Sequence, residues 1–150
     1  MESTKEFQEE TRRYFDRLAK DYDDSCDGRF VRCMYREVIR RAVSLPGDRV
    51  LDLGCGNGNL IRMLGEVKQV SCWGADLSPQ MIREAGKNLG EGVNLAVADA
   101  ASLPYGDGQF DIVICNASFH HYTEPERAVE EIRRVLRTGG TLSLGDPTIP

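Results

Sequence analysis

The chain has 150 residues and a formal net charge of −5, with 41% hydrophobic and 29% charged residues. That supports one compact domain with a real core and is too short for two, while no apolar run approaches membrane-spanning length. The acidic balance, with no basic block against it, excludes duplex nucleic acid and a membrane as expected partners.

The N-terminus, MESTKEFQEE, is too acidic and polar for an export signal, so a cytoplasmic location is the expectation. A helix is predicted from about Phe7 to Lys20, ending in the acidic segment DYDDSCDG. Asp21, Asp23 and Asp24 of that segment read as a solvated loop. In the next helix Phe30, Met34, Val38 and Ala42 recur every four residues beside Val31, Tyr35, Ile39 and Val43, which makes a broad apolar face. Pro46-Gly47-Asp48 is a turn.

From there short apolar runs alternate with helices. RVLDL precedes a glycine loop and a helix from about Asn59. VSCWGAD precedes a helix from Pro79, capped by Ser78. VNLAVAD and FDIVICN follow, and then a helix from Pro125. Thr123 and Glu126 suit a capping box there, with Ala128, Ile132, Val135 and Leu136 as the buried face and Gly139-Gly140 as terminator. TLSLGD is the fifth strand. Regular alternation of strand and helix predicts an α/β fold, a doubly wound, mostly parallel sheet covered on both faces.

Ligands of such sheets sit beyond the carboxyl ends of the strands, where strand order reverses. Those ends carry Asp52 with the glycines Gly54, Gly56 and Gly58, then Asp76, Asp99 and Asn116. A dinucleotide fingerprint would need glycine or alanine at position 59, and Asn59 stands there instead. The wider turn presents backbone N–H groups suited to one carboxylate, and Asp76 is placed to accept from both hydroxyls of a ribose. A ligand with a ribose and a carboxylate and no required phosphate is S-adenosyl-L-methionine. Among five cysteines there is no C-x-x-C pair, which predicts reduced thiols, with Cys72 and Cys115 as core residues. With only His120 and His121 as histidines, no metal site is expected.

The segments VLDLGCGNG, GADLSPQMI, ADAASLPYGDGQFDIVICN and AVEEIRRVLRTGGTLSLGDP, in that order, resemble the class I S-adenosylmethionine-dependent methyltransferases. The likeness is greatest to the ubiquinone/menaquinone-biosynthesis group and runs from about residue 48 to 147; YFDRLAKDYDD resembles that group's N-terminal helix. The resemblance implies a Rossmann-like fold and a cofactor site. The Gly54–Gly58 loop, with Cys55 and Asn57, would lie under the methionine part, Cys55 offering only its backbone. Asp52 would hold the loop and favour the ammonium. Asp76 would take the ribose hydroxyls and Leu77 would flank the adenine. Asp99 would accept from the adenine amino group with Ala100 beside it, and Asn116 would stand at the methionine end. Tyr14 and Tyr22 are either part of a lid over the site or packing residues. His120 and His121, after the fourth strand, are either a base or packing groups.

The implied organisation is an N-terminal helical lid over residues 1–45, part of the same domain as a cofactor-binding core over 46–150. The family's sheet has seven strands, the last two an antiparallel hairpin. Here the sequence stops just past strand five, so a truncated form is expected, or a homodimer through the open edge of that strand. The expected activity is methyl transfer to a small-molecule acceptor, since ASFHHYTEPER leaves no room for a large recognition insert. A cofactor-binding module without chemistry is one alternative, and a nicotinamide-dependent oxidoreductase, disfavoured by Asn59, is another.

Overall fold

The computed structural model describes residues 3–146, so Pro147, the last residue of the resembling stretch, lies outside it. Five parallel strands form one sheet: β1 (Arg49–Leu53), β2 (Ser71–Asp76), β3 (Asn94–Val97), β4 (Phe110–Asn116) and β5 (Leu136–Gly145). Their order is β3-β2-β1-β4-β5, so the chain reverses direction across the sheet between β1 and β4. The two edges are β3 and β5.

The strand residues alternate between two apolar layers. Val50, Cys72, Ile112 and Ile114 face Tyr35, Val38 and Ala42 of helix α2 (Cys26–Ser44) and Leu60, Ile61 and Leu64 of α3 (Asn59–Val67). Ile82 and Leu89 of α4 (Pro79–Leu89) join that layer. Leu51, Leu53, Ala75 and Val113 face the other way, onto Ala128, Ile132 and Val135 of α5 (Pro125–Val135). Both faces are covered, which is why β4 is buried along its whole length. Helix α1 (Thr4–Leu18) contributes no fully buried residue; Ala19 and Tyr22, in the 3-10 turn that follows, pack on Met81 of α4.

Several local expectations are corrected. The α2 face is narrower than its doubled column suggests. Phe30 and Val43 are exposed because the contact with the sheet is centred on Tyr35, Val38 and Ala42. Helix α1 starts earlier, at a capping box between Ser3 and Glu6. Helix α5 is preceded by Glu124 at its N-cap, with no side-chain cap bond, so the Thr123–Glu126 box does not form. Gly139-Gly140 does not end α5, which stops at Val135. The pair lies within β5, in a bulge that lets Leu136 pair with Phe110 and Thr141 pair with Ile112.

Candidate functional site

The strand reversal opens a crevice at the carboxyl ends of β1 and β4, and a cavity of about 210 Å³ lies there. Its floor is the loop after β1. Gly54, Gly56 and Gly58 all have positive φ, at 80°, 53° and 86°, a conformation that other residues adopt only with strain. A Cβ on Gly54 would stand 2.5 Å from Ser118, whereas one on Gly56 would meet nothing within 4 Å. Gly54 lets the loop approach the β4 exit closely, and Gly56 bares main chain to the cavity.

The loop is held by β2. The N–H groups of Gly54 and Cys55 donate to the Ala75 carbonyl at 2.7 and 3.0 Å, and Gly58 N–H donates to Cys55 at 3.0 Å. Gly56 N–H donates to Asp76 Oδ2 at 2.9 Å, and Ser78 N–H donates to Asp76 Oδ1 at 2.9 Å. Two expectations change. Asp76 and Ala75, rather than Asp52, tie the loop down, because they follow β1 in register on the neighbouring strand. The loop N–H groups of these four residues are committed internally, so the glycines offer close approach more than free donors. Burial pushes the Asp76 carboxyl above its ordinary range, against the pull of its backbone donors.

Asp52, at 4% exposure, is the last residue but one of β1 and lines the cavity. Among the described residues no hydrogen bond reaches its carboxyl, and burial, then the charge of Asp76, pushes its pKa up to about 7. Asn116, the last residue of β4, is 7% exposed. Both its Oδ1 and Nδ2 are buried with no hydrogen-bond partner, although the residue lines the same cavity. Buried polar groups are almost always paired, and one left unpaired costs about 1–3 kcal/mol. An acid and an amide at the reversal point are thus both left without partners.

Asp99 follows β3 and accepts from Ala101 N–H at 2.9 Å and from the Gln8 side-chain amide at 2.8 Å. Leu77 and Ala100 line the wall between Asp76 and Asp99. Helix α1 therefore lies across the crevice, and two more contacts fasten it and the turn that follows. Asp16 accepts from Ser78 Oγ at 2.5 Å and from Gln80 N–H at 3.2 Å. Asp23 accepts from the side chains of Asn57 and Asn59 at 2.9 and 2.6 Å. Asp23 is not the solvated acid its run suggests; the turn folds it onto the glycine loop.

The aromatic residues divide. Tyr22 lines the cavity, and burial raises its hydroxyl to about 12, so it remains a proton donor near neutrality. Tyr14 does not line it: the residue is 42% exposed and donates to Asp27 at 2.8 Å. One position along α1 points to the other side, and Phe15 takes the place expected of Tyr14, its ring 5.1 Å from that of His121. His120 and His121 form a 3-10 turn with Phe119 and both line the cavity. Burial lowers the His121 pKa, and Nδ1 of His120 lies 3.2 Å from Asp146 Oδ1.

Sequence reasoning missed Gln8, Asp16, Asp23, Ser118 and Asp146. Polar residues on a charged amphipathic helix or in an acidic run carry no local signal that distinguishes a docking contact from a solvated one. Among the described residues, no group of three or more acidic, cysteine or histidine side chains could hold a metal ion, and no helix is long and apolar enough to cross a membrane.

Residues 51–144 match the family model described as methyltransferase domain. A curated relative, 27-O-demethylrifamycin SV methyltransferase of Amycolatopsis mediterranei, is 36% identical over 115 residues, covering 71% of this chain and 42% of that protein. Demethylmenaquinone methyltransferase of Thermus thermophilus is 39% identical over 111 residues, 69% of this chain and 50% of that one. Among solved structures, a chain in the complex of the Trm112 methyltransferase activator from Haloferax volcanii superposes with a TM-score of 0.76 at 31% identity. It covers 87% of this chain and 58% of that one. The chain spans about half the length of the curated relatives it matches.

Proposed function

The chain belongs to the methyltransferase-domain family, and from that premise we propose that it binds S-adenosyl-L-methionine in the β1–β4 crevice and transfers its methyl group to a small-molecule acceptor. The observation that carries the reading is Asn116, whose buried amide has no partner although it faces a cavity that also holds an unpartnered acid, Asp52. A zwitterionic amino-acid tail supplies what both lack. Its ammonium suits Asp52, which gives up its proton when a cation arrives. Its carboxylate suits the Tyr22 hydroxyl and Asn116 Nδ2, since the N–H groups of Gly54, Cys55, Gly56 and Gly58 are engaged elsewhere.

The remaining roles follow the crevice outward. The bare backbone at Gly56 leaves room for the tail, with Gly54, Cys55, Asn57 and Gly58 shaping the floor. Asp76 takes the ribose hydroxyls with the lone pairs its backbone donors leave free. Leu77 and Ala100 flank the adenine, and Asp99 accepts from its amino group. Residues 1–45 act as a lid on the 46–150 core, with Tyr22 and Phe15 as its inner face and Tyr14 outside it. The bound cofactor supplies an electrophilic methyl carbon, so the protein's task is alignment and exclusion of water. Pairing of the β5 edge with a second copy belongs to the same proposal, and a dimer in light scattering would support it.

The test is a calorimetric titration with S-adenosylhomocysteine. Asn116→Ala is expected to weaken binding at least tenfold, about 1.4 kcal/mol, with little effect on folding because its amide has no partner to lose. Asp76→Ala is expected to lose more, since it also releases Gly56. Unchanged affinity in Asn116→Ala would place the amino-acid tail elsewhere.

A further inference from the structure

Asn116 has two polar side-chain atoms, and a cofactor tail engages only one of them. Its Nδ2 goes to the tail's carboxylate, while its Oδ1, equally buried, still has no partner among the described residues. An amide oxygen only accepts, so what it lacks is a donor. That oxygen turns toward β5. A Cβ on Gly145, which pairs with Asn116, would stand 3.1 Å from Asn116 Oδ1 and 3.3 Å from Met34 Cε of α2. Strand order then divides the cavity. Asp52, Asp76 and Asp99, on β1, β2 and the exit of β3, lie to one side of β4, and β5 lies to the other, with α2 packed on both β4 and β5.

The first turns of α2 present a second surface to the cavity. Asp27, Phe30 and Val31 fall on one helix face, three and four residues apart, and all three line the cavity. Phe30 is 55% exposed, an apolar ring left open there. Phe15 of α1 meets the His121 ring edge-on in the same lining. Among the described residues, the charged side chains that line the cavity are acids: Asp27, Asp52, Asp76, Asp99 and Glu124. Asp27 and Glu124 remain once the cofactor has engaged the other three. This part of the cavity offers apolar surface, negative charge and one buried oxygen that waits for a donor.

We infer that the methyl acceptor is a small amine with an apolar, ring-bearing body, its reacting nitrogen donating to Asn116 Oδ1. The inference rests on the methyltransferase reading above. A neutral amine is nucleophilic with its hydrogens in place, so it donates one N–H to the amide while its lone pair attacks the methyl carbon. The N–C bond forms, and the C–S bond breaks with its pair going to sulfur. The positive charge passes from sulfonium to the new ammonium; no proton has to leave for transfer to occur, and no other reactant enters. As the nitrogen turns positive its hydrogen bond to Oδ1 becomes charge-assisted. It is therefore stronger in the transition state than in the bound amine, and the difference accelerates the chemistry. A hydroxyl making the same bond would have to lose its proton toward an amide oxygen, which is too weak a base to take it. A carboxylate would set a second negative charge beside Asp27 and a lone pair against Oδ1.

The experiment offers the full chain one body with different heads. With S-adenosylhomocysteine at saturation, calorimetry should show benzylamine binding and benzoate not binding. Methyl transfer from S-adenosyl-L-methionine is then followed with benzylamine, benzyl alcohol and phenylmethanethiol, and the amine should react about tenfold faster than either of the others, or more. Two variants separate the two atoms of the amide. Asn116→Asp keeps an oxygen for the amine and loses the donor to the cofactor tail. S-adenosylhomocysteine should then bind about tenfold more weakly, while kcat at saturating cofactor stays within about threefold of wild type. Asn116→Ala loses both atoms, so kcat should also fall about tenfold or more. Phe30→Ala should raise the KM for benzylamine about fivefold and leave S-adenosylhomocysteine affinity as it was. The inference is overturned by faster transfer to the alcohol or the thiol, by benzoate binding as well as benzylamine, by an equal loss of kcat in Asn116→Asp and Asn116→Ala, by an unmoved KM in Phe30→Ala, or by no transfer to benzylamine from a chain that binds S-adenosylhomocysteine. That last result leaves the cofactor site standing. Failure to bind S-adenosylhomocysteine would instead remove the methyltransferase reading itself.

Discussion

The two ends of the sheet treat their acids in opposite ways. At the amino end Asp111 is buried on β4 and fully engaged. It accepts from the N–H groups of Asp48 and Arg49 at 3.1 and 3.0 Å, and Arg137 Nε lies 2.6 Å from its other oxygen. Those donors and cations hold its carboxyl below the ordinary range. At the carboxyl end Asp52, three residues along β1 from Arg49, is just as buried and has no donor, and its pKa is pushed up to about 7. One end closes the fold with a satisfied acid; the other keeps an unsatisfied one at the mouth of a cavity. Burial alone would raise both, so the difference lies in the neighbours: donors and arginines around Asp111, and the charge of Asp76 beside Asp52.

The largest effect that sharpens this contrast is on stability. Asp111→Ala strands two backbone N–H groups beside Arg137 and should cost about 3 kcal/mol in urea unfolding, while S-adenosylhomocysteine affinity of the folded fraction holds. A loss below about 1 kcal/mol would mean that the amino-end network is surface decoration.

Next comes Asp52→Asn, where the signs reverse. It should weaken S-adenosylhomocysteine binding about tenfold, about 1.4 kcal/mol, yet raise the melting temperature at pH 8, where it removes a buried charge. The pH dependence follows from the raised pKa. Asp52 contributes stability below its unfolded pKa of about 4, and that contribution is lost as pH rises through the folded value, about 7. Asp111, with a depressed pKa, contributes in the opposite sense: its stability is present above the unfolded value and disappears as pH falls through the folded one. Unfolding free energy should therefore decline between about pH 4 and 7 in the wild type, and more shallowly in Asp52→Asn. Ligand affinity should climb over the upper part of that window, because a cation at Asp52 needs the ionised acid. A flat affinity profile would remove Asp52 from the binding site.

The contrast between the ends also shows what the sequence could tell. Strand exits are legible because apolar runs stop abruptly at Asp52, Asp76, Asp99 and Asn116, and the period of the pattern changes at each. The glycines are legible because positive φ restricts residue choice. Partnership is not legible. Nothing in RVLDL or FDIVICN says that Asp52 has no donor and Asp111 has several, since both depend on which strands lie side by side. The Gly139-Gly140 stop failed for the same reason. The local rules are sound, but pairing of Leu136 with Phe110 pulled the helix end into the sheet. Tyr14 failed by one helical position, about 100° of rotation, which an amphipathic pattern alone cannot fix on so polar a helix.

The smallest effect concerns the lid, where the carboxyl end borrows a partner. Gln8 donates to Asp99 Oδ2, the acid proposed to receive the adenine amino group. On the proposed reading the amide and the adenine compete for one oxygen, so helix α1 caps Asp99 when no adenine is present. Removing the competitor in Gln8→Ala should tighten S-adenosylhomocysteine binding two- to threefold, about 0.5 kcal/mol, a net gain set by one part-buried hydrogen bond. Folding should barely change, because Asp16 and Asp23 still fasten the segment to Ser78 and the loop asparagines. Weaker binding would reverse the assignment and make Gln8 a second contact to the base, turning the lid from a cap that must be displaced into part of the adenine pocket. Either sign separates the borrowed partner at Asp99 from the permanent ones at Asp111, where substitution can only destabilise.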